Sequence, residues 1–563
     1  MKKFLHRNDW PWVILLTAIV LLPNFYLAVV GSDLSGRWMA KIAYLIFSLI
    51  LFSIPALFLK GKAFFLFEGI FVLLAPLEIG HIYLNKMGVT IGYMMALLAT
   101  DWHESIELLS SIKVLLLTVV VVWIAYFWIT IRKIENKYFI PKLKWRMATI
   151  SAFLVIFIAL FAYQYRLASI IVPKSQKSRV LPMSWDTFTL KFIKTYPCNL
   201  IFKTCNALQI HHEIKSGQKE LTDFIFHAQK NQSLEEKEIY LFILGETARY
   251  SQFSINAYAR NTSPLLSSLD NLVSYSDMYS QANLTEIALP FIFTRGTALD
   301  ENRFPKEKSF VDAFQEAGFS TYWIANQSAG NSFVRRISHD ATGEYFMVKD
   351  YDAIDNFDEK LWPYLDEILT KNEEKVLIVL HTLGSHFRYN FRYPNEYNVF
   401  KPSFCGAFEY DQSTADNKEL FINTYDNSIL YTDYFLYHTI KKIEEQNAVS
   451  FVIYTSDHGE NLFDTDEKIS LHGGIHPTQF DVHLPFFVWT SEKYREQYPE
   501  KWMNTQNNKD KKLNSSVIFH SMLDAADISF PEQNLRRSIV SDSLRADSAR
   551  YVRTPDFQTV RID

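Results

Sequence analysis

The chain has 563 residues, enough for two or three domains, and a formal net charge of −4. That charge is too small to indicate nucleic acid or another strongly charged partner. Aromatic residues make up 15% of the chain, which is high for a soluble enzyme and indicates membrane contact. The sequence is strongly apolar before residue 172 and has the composition of a water-soluble domain after it.

Five apolar stretches fill the first part of the chain, and each has the roughly 17–25 residues that a bilayer-spanning helix needs. They are Trp12–Val30, Ile42–Leu59, Ala63–Leu84, Val114–Ile131 and Ala148–Ile171. The first is not a signal peptide, because no small-residue cleavage site follows it and four more stretches do. Residues 1–172 are therefore predicted to form a transmembrane domain of five helices.

Basic residues predict the orientation of these helices. The N-terminus carries Lys2, Lys3 and Arg7, and the loop at 132–146 is the most basic of the region. Positively charged loops stay in the cytoplasm. The N-terminus is therefore expected in the cytoplasm, and everything after residue 172 is expected to be exported.

Residues 173–235 are polar and compatible with helices, and we expect them to bridge the membrane to the exported domain. Cys198 and Cys205 lie close together in YPCNLIFKTC within this segment. An exported setting favours a disulfide between them, with two free thiols as the alternative. Cys405 has no evident partner in the sequence.

From Glu238 to Ala526, apolar strand-like runs alternate with helix-like segments. This alternation predicts a mostly parallel sheet covered by helices on both faces. We expect residues 236–540 to form this catalytic domain. Residues 541–563 are charged and short of apolar side chains, and are expected to be a disordered tail.

Three of the predicted strands end in polar residues. The runs IYLFILGETAR, VLIVLHTLGSH and VSFVIYTSDHGE each begin as buried strands and then break. In chain order, the polar residues at their ends are Glu246, His386, Asp457, His458 and Glu460. Because ligands bind at the carboxyl ends of parallel strands, these acids and histidines indicate a metal site.

A catalytic zinc ion takes about four N, O or S ligands and leaves one position for substrate or nucleophile. Glu246, Asp457 and His458 supply three of them. At a strand end, the turn SDHGEN allows the adjacent Asp457 and His458 to converge on one ion.

A hydroxyl is the fourth candidate. Thr285 lies in NLTEIALPFIFT, where a helix N-terminus would favour its alkoxide form. The alternative is a simple helix cap by Thr285 or by Asn283. Thr247 is the rival nucleophile, because it directly follows Glu246. The local sequence does not decide between them.

Several segments, in this order, resemble the bacterial phosphoethanolamine transferases: GETARYSQFSINAYARNTSPLL, NLTEIALP, LGSHFRYNFRYP, NTYDNSILYTDYFL, and SDHGENL followed by LHGG. This family includes the lipid A-modifying enzymes of polymyxin and colistin resistance. The resemblance covers nearly the full chain. It implies a five-span α-helical membrane domain followed by a soluble α/β/α domain of the alkaline phosphatase/sulfatase-like type.

The resemblance also implies a function. Such an enzyme transfers phosphoethanolamine from phosphatidylethanolamine to a phosphate or hydroxyl of a surface glycolipid, most often lipid A. The reaction uses Zn²⁺ and passes through a phosphothreonine-type intermediate. The protein is expected in the Gram-negative inner membrane as a monomer without nucleic acid, with its catalytic domain in the periplasm.

Carried over by position, the resemblance implies a role for ten residues. Thr285 would be the nucleophile and a metal ligand together with Glu246, Asp457 and His458. Glu460 would orient a ligand. The residues expected to contact the substrate, or a second metal in the case of the two histidines, are His386, His472, Thr100, Glu104 and Asn331.

The chain departs from the family pattern in three places, one of which is the cysteine pattern around Cys405, which lacks its second member. NQSAGNSFVRR (Asn326–Arg336) lacks the two cysteines and the lysine of the usual NQSGCKGVC, and Asn331 stands near the lysine position. Arg335 or Arg336 could supply the missing charge. Ala96 replaces an asparagine of the membrane loop. These departures bear on substrate contacts and leave the metal ligands in place.

Other residues and other functions are also compatible with the sequence. Glu68 and Glu78, inside the third span, are either functional or hydrogen-bonded between helices. His476 and His483 are expected to be surface histidines rather than ligands. The alternative functions are the same transfer onto core oligosaccharide or another envelope glycan, a related membrane-anchored phosphodiesterase or glycerol-phosphate transferase, and a catalytically silent scaffold.

Overall fold

The structure is a computed structural model. It describes residues 9–31, 38–99, 113–140, 142–171, 180–181, 184–185, 194–300, 303, 306–327, 332–339, 341–347, 356–371, 373–404, 415–466 and 468–563. Seven residues named above therefore lie outside the described part of the chain: Lys2, Lys3, Arg7, Thr100, Glu104, Asn331 and Cys405.

The described α-helices, in chain order, are α1 Trp10–Val20, α2 Leu22–Val30, α3 Trp38–Ser53, α4 Gly61–Asn85, α5 Ile91–Ala99, α6 Lys113–Lys133, α7 Leu143–Ile171, α8 Cys198–Glu220, α9 Thr285–Phe293, α10 Phe310–Glu316, α11 Ser332–His339, α12 Trp362–Thr370, α13 Lys418–Glu444, α14 Gln479–Val482, α15 Glu492–Gln497, α16 Pro499–Asn507 and α17 Val517–Ala525.

The described strands are β1 Gln229–Lys230, β2 Glu238–Gly245, β3 Leu272–Ser274, β4 Met278–Tyr279, β5 Ser320–Ala325, β6 Gly343–Phe346, β7 Lys375–His381, β8 Val449–Ser456, β9 Asn461–Leu462, β10 Ser470–Leu471, β11 Phe486–Thr490, β12 Leu513–Asn514, β13 Ile528–Ser529, β14 Tyr551–Arg553 and β15 Thr559–Arg561.

The chain divides into two compact units, one within 1–90 and 112–206 and the other within 91–111 and 207–563. In the first unit, all five predicted apolar stretches are helical. Among the described residues, three helices are long and apolar enough to cross a membrane, and α1 and α2 together make a fourth such segment, bent by 53°. The remaining stretch forms a shorter apolar helix, Lys41–Leu57.

The bridging segment corrects one expectation. Cys198 and Cys205 are free thiols, and both lie on α8. Seven residues of α-helix separate them by about 10 Å along the axis, whereas a disulfide needs Cα atoms roughly 4.4–6.8 Å apart. In the same unit, Glu78 Oε1 accepts a hydrogen bond from Asn199 Nδ2 at 2.6 Å. Glu78 therefore hydrogen-bonds to a neighbouring helix.

The second unit is built on a seven-stranded sheet with the order β3-β11-β8-β2-β7-β5-β6. The strands from β8 to β6 are mutually parallel, β11 runs antiparallel to β8, and the edge strand β3 runs antiparallel to β11. Every residue of β2 and β8 is buried. This burial on both sides is why their sequences are continuous apolar runs rather than alternating ones.

Helices cover both faces of the sheet, as predicted. On one face, Phe242 of β2 packs edge-on against Phe293 of α9 and Phe310 of α10, with ring centroids 5.5 and 5.6 Å apart. On the other face, Ile243 and the α13 residues Leu436 and Ile440 border the same small apolar space. Alternation along β2 thus assigns successive side chains to two separate cores.

The expectation of a disordered C-terminal tail is wrong. Residues after 541 form the β14–β15 hairpin and bury Arg550. The guanidinium of Arg550 pairs with Asp277 and Asp563 and lies 3.6 Å from the ring centroid of Tyr279. The charges that suggested a solvated tail are therefore paired with one another and with the body of the domain.

Replacement of Arg550 by methionine should destabilise the protein, because Asp277 and Asp563 lose their partner and the guanidinium contact with the Tyr279 ring is removed. Both carboxylates are partly exposed. We therefore expect a loss of about 1–3 kcal/mol rather than the full cost of a buried unpaired charge. Thermal unfolding of the detergent-solubilised protein measures it. Arg545→Met, at an exposed position, is the control, and equal melting temperatures for the two variants would contradict the assignment.

Candidate functional site

The carboxyl ends of the two central strands deliver the first three site residues. Glu246 directly follows β2, and Asp457 and His458 directly follow β8. Gly245 and Ser456 are paired in register, so the chains leave the sheet side by side. All three site residues are buried, and their ligand atoms lie within 4.8 Å of one another. The predicted convergence at one edge of the sheet is therefore present.

Thr285 brings a hydroxyl to the same point. It is the first residue of α9, and Leu284 rather than a polar residue occupies the N-cap position. Thr285 Oγ1 lies 2.7 Å from Asp457 Oδ2, 3.1 Å from Glu246 Oε1 and 3.1 Å from His458 Nε2. The hydroxyl faces the cluster and makes no capping bond, so the simple helix-cap alternative is wrong.

Asp457 is oriented by its surroundings. Its Oδ1 accepts the backbone N–H of His458 at 2.8 Å and that of Thr247 at 3.1 Å, which leaves Oδ2 for Thr285. Burial alone would raise the pKa of Asp457, but His458, which donates its backbone N–H, and the hydrogen bond from Thr285 hold the pKa below its ordinary value. Asp457 is therefore held as a carboxylate anion.

The pKa of Glu246 is shifted in the opposite direction from that of Asp457. Burial, together with the charge of Asp457, raises the pKa of Glu246 well above its ordinary value. Gln327 Nε2 lies 3.5 Å from Glu246 Oε2 and 3.1 Å from the carbonyl oxygen of Thr382. Two buried carboxylates this close repel each other, and a bound cation would relieve that repulsion.

His458 is held as a neutral imidazole. Its Nδ1 lies 2.9 Å from the carbonyl oxygen of Gly459, so Nδ1 carries the proton and Nε2 presents its lone pair to the cluster. Burial lowers the pKa of His458, which keeps the imidazole neutral. Two carboxylate oxygens, one imidazole nitrogen and one hydroxyl therefore converge, and this donor set suits a metal ion.

Thr247, the rival nucleophile, serves the site in another way. Its Oγ1 donates to Glu246 Oε1 at 3.0 Å, and its carbonyl oxygen accepts from the hydroxyl of Tyr425 at 2.7 Å. Thr247 has φ of 59°, which is unusual for a β-branched residue. The surrounding hydrogen bonds maintain this strained turn, and the turn directs Glu246 and the backbone N–H of Thr247 toward Asp457.

His472 lies beside His458, with ring centroids 4.0 Å apart. Glu460 Oε1 is 3.1 Å from His472 Nδ1, and Glu460 Oε2 accepts a hydrogen bond from the hydroxyl of Tyr389 at 2.8 Å. Burial opposes protonation, but Glu460 raises the pKa of His472 above its ordinary value. Glu460 therefore orients His472, and Tyr389 is a partner that the sequence pattern did not indicate.

His386 ends the loop after β7. Asp358 holds this loop, because its carboxylate accepts the backbone N–H groups of Leu383 at 2.7 Å and Gly384 at 3.0 Å. Burial lowers the pKa of His386 to about 3, and nearby Arg392 adds to the effect. Within the described part of the chain, His386 Nδ1 has no hydrogen-bond partner. Asp358 was missed because NFDEK carries no motif.

Arg249, the arginine of GETAR, holds the turn after β8. Its Nη1 donates to the carbonyl oxygen of Glu460 at 3.2 Å and pairs with Asp464 at 2.6 Å. The arginine therefore braces the SDHGE turn rather than contacting Thr285. The GETAR motif contains this arginine, but the motif alone did not indicate that the arginine holds the turn after β8.

Helix α5 belongs to the catalytic unit although it lies between two apolar helices in sequence. Ile91 N donates to Asp556 Oδ1 at 3.1 Å, and Gly92 N donates to the carbonyl oxygen of Pro555 at 2.7 Å. A Cβ on Gly92 would come within 2.6 Å of Leu284, the residue before Thr285. The C-terminal hairpin and α5 therefore pack against the segment that carries Thr285.

The remaining candidates lie apart from the cluster. His483 is stacked between Tyr250 and Tyr279, with ring centroids 4.0 and 4.6 Å away, so it is a packed histidine rather than a surface one. Arg336 is buried and donates to the carbonyl oxygen of Glu307, while Arg335 is exposed.

Comparison with known proteins agrees with this geometry. The sulfatase family model matches residues 238–528, which contain the whole cluster. The Kdo(2)-lipid A phosphoethanolamine 7''-transferase of Salmonella typhimurium is 34% identical over 268 residues, covering 45% of this chain and 44% of that protein. The chain spans about half the length of the curated relatives it matches. The predicted resemblance to phosphoethanolamine transferases is thereby confirmed.

Two solved structures are also similar. The C-terminal periplasmic domain of EptC from Escherichia coli, in complex with Zn, is 26% identical with a TM-score of 0.54, and the match covers 60% of this chain and 94% of that chain. The integral membrane lipooligosaccharide phosphoethanolamine transferase A of Neisseria meningitidis is 20% identical with a TM-score of 0.70, covering 93% and 98%. The second match shows that the fold is shared along nearly the whole chain.

Gly384 tests the coupling between the His386 loop and Glu246. It has φ of 52°, and a Cβ there would lie 2.8 Å from the carbonyl oxygen of Glu246 and 2.9 Å from its nitrogen. Gly384→Ala should therefore displace Glu246 and weaken divalent-metal binding by about tenfold or more, as chelator competition would measure.

Gly318 offers a matched control. It has φ of 84°, and a Cβ there would meet no atom within 4 Å. Gly318→Ala should therefore cost only the left-handed backbone strain of about 1–2 kcal/mol. Equal metal affinity in the two variants would show that the contact with Glu246 is irrelevant.

Proposed function

The chain belongs to the sulfatase family, and within it we propose that the protein is a zinc-dependent phosphoethanolamine transferase. Its donor would be phosphatidylethanolamine and its acceptor lipid A or another surface glycolipid. The observation that carries the proposal is the position of the Thr285 hydroxyl. It lies at a helix N-terminus within 3.1 Å of Asp457, Glu246 and His458.

Zinc is the metal that the donor set fits. Ligands about 2.0–2.2 Å from a tetrahedral ion are about 3.3–3.6 Å apart. Thr285 Oγ1 lies 2.7–3.1 Å from the other three donor atoms, and His458 Nε2 lies 3.3 Å from Asp457 Oδ2 and 3.6 Å from Glu246 Oε1. The solved EptC domain is described as a complex with Zn. When bound, zinc would lower the pKa of the hydroxyl and attract charge that develops on phosphoryl oxygens.

In the first half-reaction, Thr285 Oγ1 attacks the phosphorus of phosphatidylethanolamine. The bond from phosphorus to the glycerol oxygen breaks, and diacylglycerol leaves with a proton on that oxygen. The hydroxyl proton of Thr285 departs toward the carboxylate pair, since Asp457 Oδ2 and Glu246 Oε1 are both within reach. The helix N-terminus of α9 favours the developing negative charge.

In the second half-reaction, a phosphate or hydroxyl oxygen of the acceptor attacks the phosphothreonine. The bond between phosphorus and Thr285 Oγ1 breaks, and the threonine hydroxyl regains a proton. His472, fixed by Glu460, and His386, held neutral by burial, are the groups proposed to bind the phosphoryl oxygens or to move this proton. All proposed groups come from one chain, so a monomer suffices.

Both proposed substrates are lipids, and two features of the chain suit a reaction at a membrane. Apolar helices precede the catalytic unit, and α5 packs next to Leu284. Thr100 follows α5 directly in the sequence, so Thr100 and Glu104 are proposed to contact the ethanolamine group of the donor. A carboxylate such as Glu104 would pair with its ammonium. Asn331 is proposed to contact the substrate as well. The catalytic unit would work in the periplasm.

The acceptor is proposed from the names of the relatives. One of them acts on Kdo(2)-lipid A. Ethanolamine adds a cation to an anionic glycolipid surface, so the modification would weaken binding of cationic peptides such as polymyxin. Lipid A is therefore the proposed acceptor class, and core oligosaccharide would be distinguished by the position of the added group.

Removal of the Thr285 hydroxyl should abolish transfer. Cells that express Thr285→Ala should contain lipid A and core oligosaccharide without added phosphoethanolamine, as mass spectrometry would show. Thr294→Ala is the control, because it removes a hydroxyl from the other end of α9 that bonds only to Pro290 and Gly296. No phosphoethanolamine difference between wild type and Thr285→Ala would refute the transferase function.

The intermediate offers a second test. The purified full-length protein, incubated with phosphatidylethanolamine and no acceptor, should carry phosphoethanolamine on the peptide that contains Thr285. Chelation of divalent metal before incubation should prevent this, because the proposed attack depends on the activated hydroxyl. Modification of Thr247 instead, or modification that resists chelation, would contradict the mechanism.

A further inference from the structure

Asp481 is a buried carboxylate with no part in the mechanism above. It lies on the short helix α14, in the segment that follows the LHGG turn. Its Oδ1 accepts the backbone N–H of Thr478 at 2.8 Å, which closes a capping box. Its Oδ2 accepts the side-chain amides of Asn283 at 2.9 Å and Asn461 at 3.3 Å. Its carbonyl oxygen accepts the N–H of Gly459 at 2.9 Å.

These partners belong to three separate parts of the site. Asn283 lies two residues before Thr285, and Gly459 directly follows His458. The third part is the loop that carries His472. Asn461 Nδ2 donates to the carbonyl oxygen of Leu471 at 2.7 Å, immediately before that histidine. Asp481 is the one described residue that the hydrogen bonds above join to all three.

The side-chain amide of Asn283 can take only one orientation in this link. Its single amide nitrogen donates both to Asp481 Oδ2 and to the carbonyl oxygen of Gly474, each at 2.9 Å. Among the described residues, its Oδ1 is buried without a hydrogen-bond partner. A flipped amide would turn this oxygen toward two acceptors, so only one orientation is tolerated. The segment before Thr285 is thereby tied to the loop after His472.

A buried carboxylate adds little net stability to a protein interior, because the free energy of removing its charge from water offsets most of what its hydrogen bonds contribute. Such groups are often explained better by the single geometry they impose. The geometry imposed here is the separation between Thr285 and His472, which lie on segments that the sheet does not connect directly.

We propose that Asp481 is a positioning residue that fixes Thr285 relative to His472 and so sets the rate of phosphoryl transfer. The inference rests on the proposed function of the site. Displacement of a reacting group by about 1 Å can cost about a hundredfold in rate. Loosening the tie should therefore slow the chemical step while metal binding and donor binding persist.

Asp481→Asn tests this role. The substituted side chain keeps an oxygen for the capping bond to Thr478, but it turns an amide group toward the amides of Asn283 and Asn461. Full-length protein in mixed micelles with phosphatidylethanolamine should show a rate of Thr285 modification reduced by about tenfold or more, with KM for the donor changed by less than about threefold. Bound zinc should stay at the wild-type level.

Asp312→Asn is the matched control. Asp312 closes a capping box of the same kind on α10, where it accepts from Ser309, and α10 carries none of the proposed site residues. The control should lose comparable stability with a rate within about twofold of wild type. If Asp481→Asn matches Asp312→Asn in rate, or if its loss tracks loss of zinc or of folded protein, Asp481 has only a structural role.

Asn283→Ala provides a second variant, because it cuts the same tie and leaves Asp481 bonded to Asn461 and Thr478. It should show the same kinetic signature. In the double variant Asn283→Ala/Asp481→Asn, the loss should be no larger than that of the worse single variant. If the rate losses of the two single variants multiply in the double variant, the two residues do not act through one shared contact. Absence of Thr285 modification in the wild type would instead reject the proposed function itself.

Discussion

Two buried carboxylates that share one hydroxyl are the constraint on which the catalytic unit depends. Glu246 and Asp457 both contact Thr285 Oγ1 away from water. Burial and the charge of Asp457 raise the pKa of Glu246, whereas His458 and the hydrogen bond from Thr285 hold the pKa of Asp457 below its ordinary value. Such an arrangement is unfavourable without a compensating cation. The arrangement persists because Thr247 holds both carboxylates. Its hydroxyl donates a hydrogen bond to Glu246, and its backbone N–H donates one to Asp457.

The surrounding structure keeps this cluster in place through buried polar contacts rather than through apolar packing alone. Asp358 holds the loop that ends in His386, and Glu460 holds His472. Asp481 ties the segment before Thr285 to the turn after His458. The Thr285 hydroxyl, the proposed nucleophile, therefore lies in a preorganised site, and preorganisation of charge and donors is where enzymes obtain much of their rate. The apolar cores on either face of the sheet supply the rigid frame for these contacts.

Much of this could be predicted from local sequence. Continuous apolar runs identify β2 and β8, and the rule that parallel strands end at one edge of a sheet places Glu246 and Asp457 close together. Choosing Thr285 over Thr247 needed the family resemblance, because both are hydroxyls near predicted strand or helix ends. The free state of Cys198 and Cys205 was within reach of the sequence, since one helix carries both and its rise keeps them apart.

The rest depended on tertiary contacts that no local pattern encodes. The charged C-terminal residues resembled a solvated tail because their partners, such as Asp277 for Arg550, lie far away in the sequence. Asp358 and Asp481 carry no motif, since their role comes from donors on other segments.

The most direct test of the proposed zinc site is zinc-edge X-ray absorption on the full-length protein. We expect one zinc ion with a single histidine nitrogen and otherwise oxygen ligands at about 2.0–2.2 Å, and loss of that spectrum in Asp457→Ala. A sulfur shell, or an unchanged spectrum in the variant, would contradict this site.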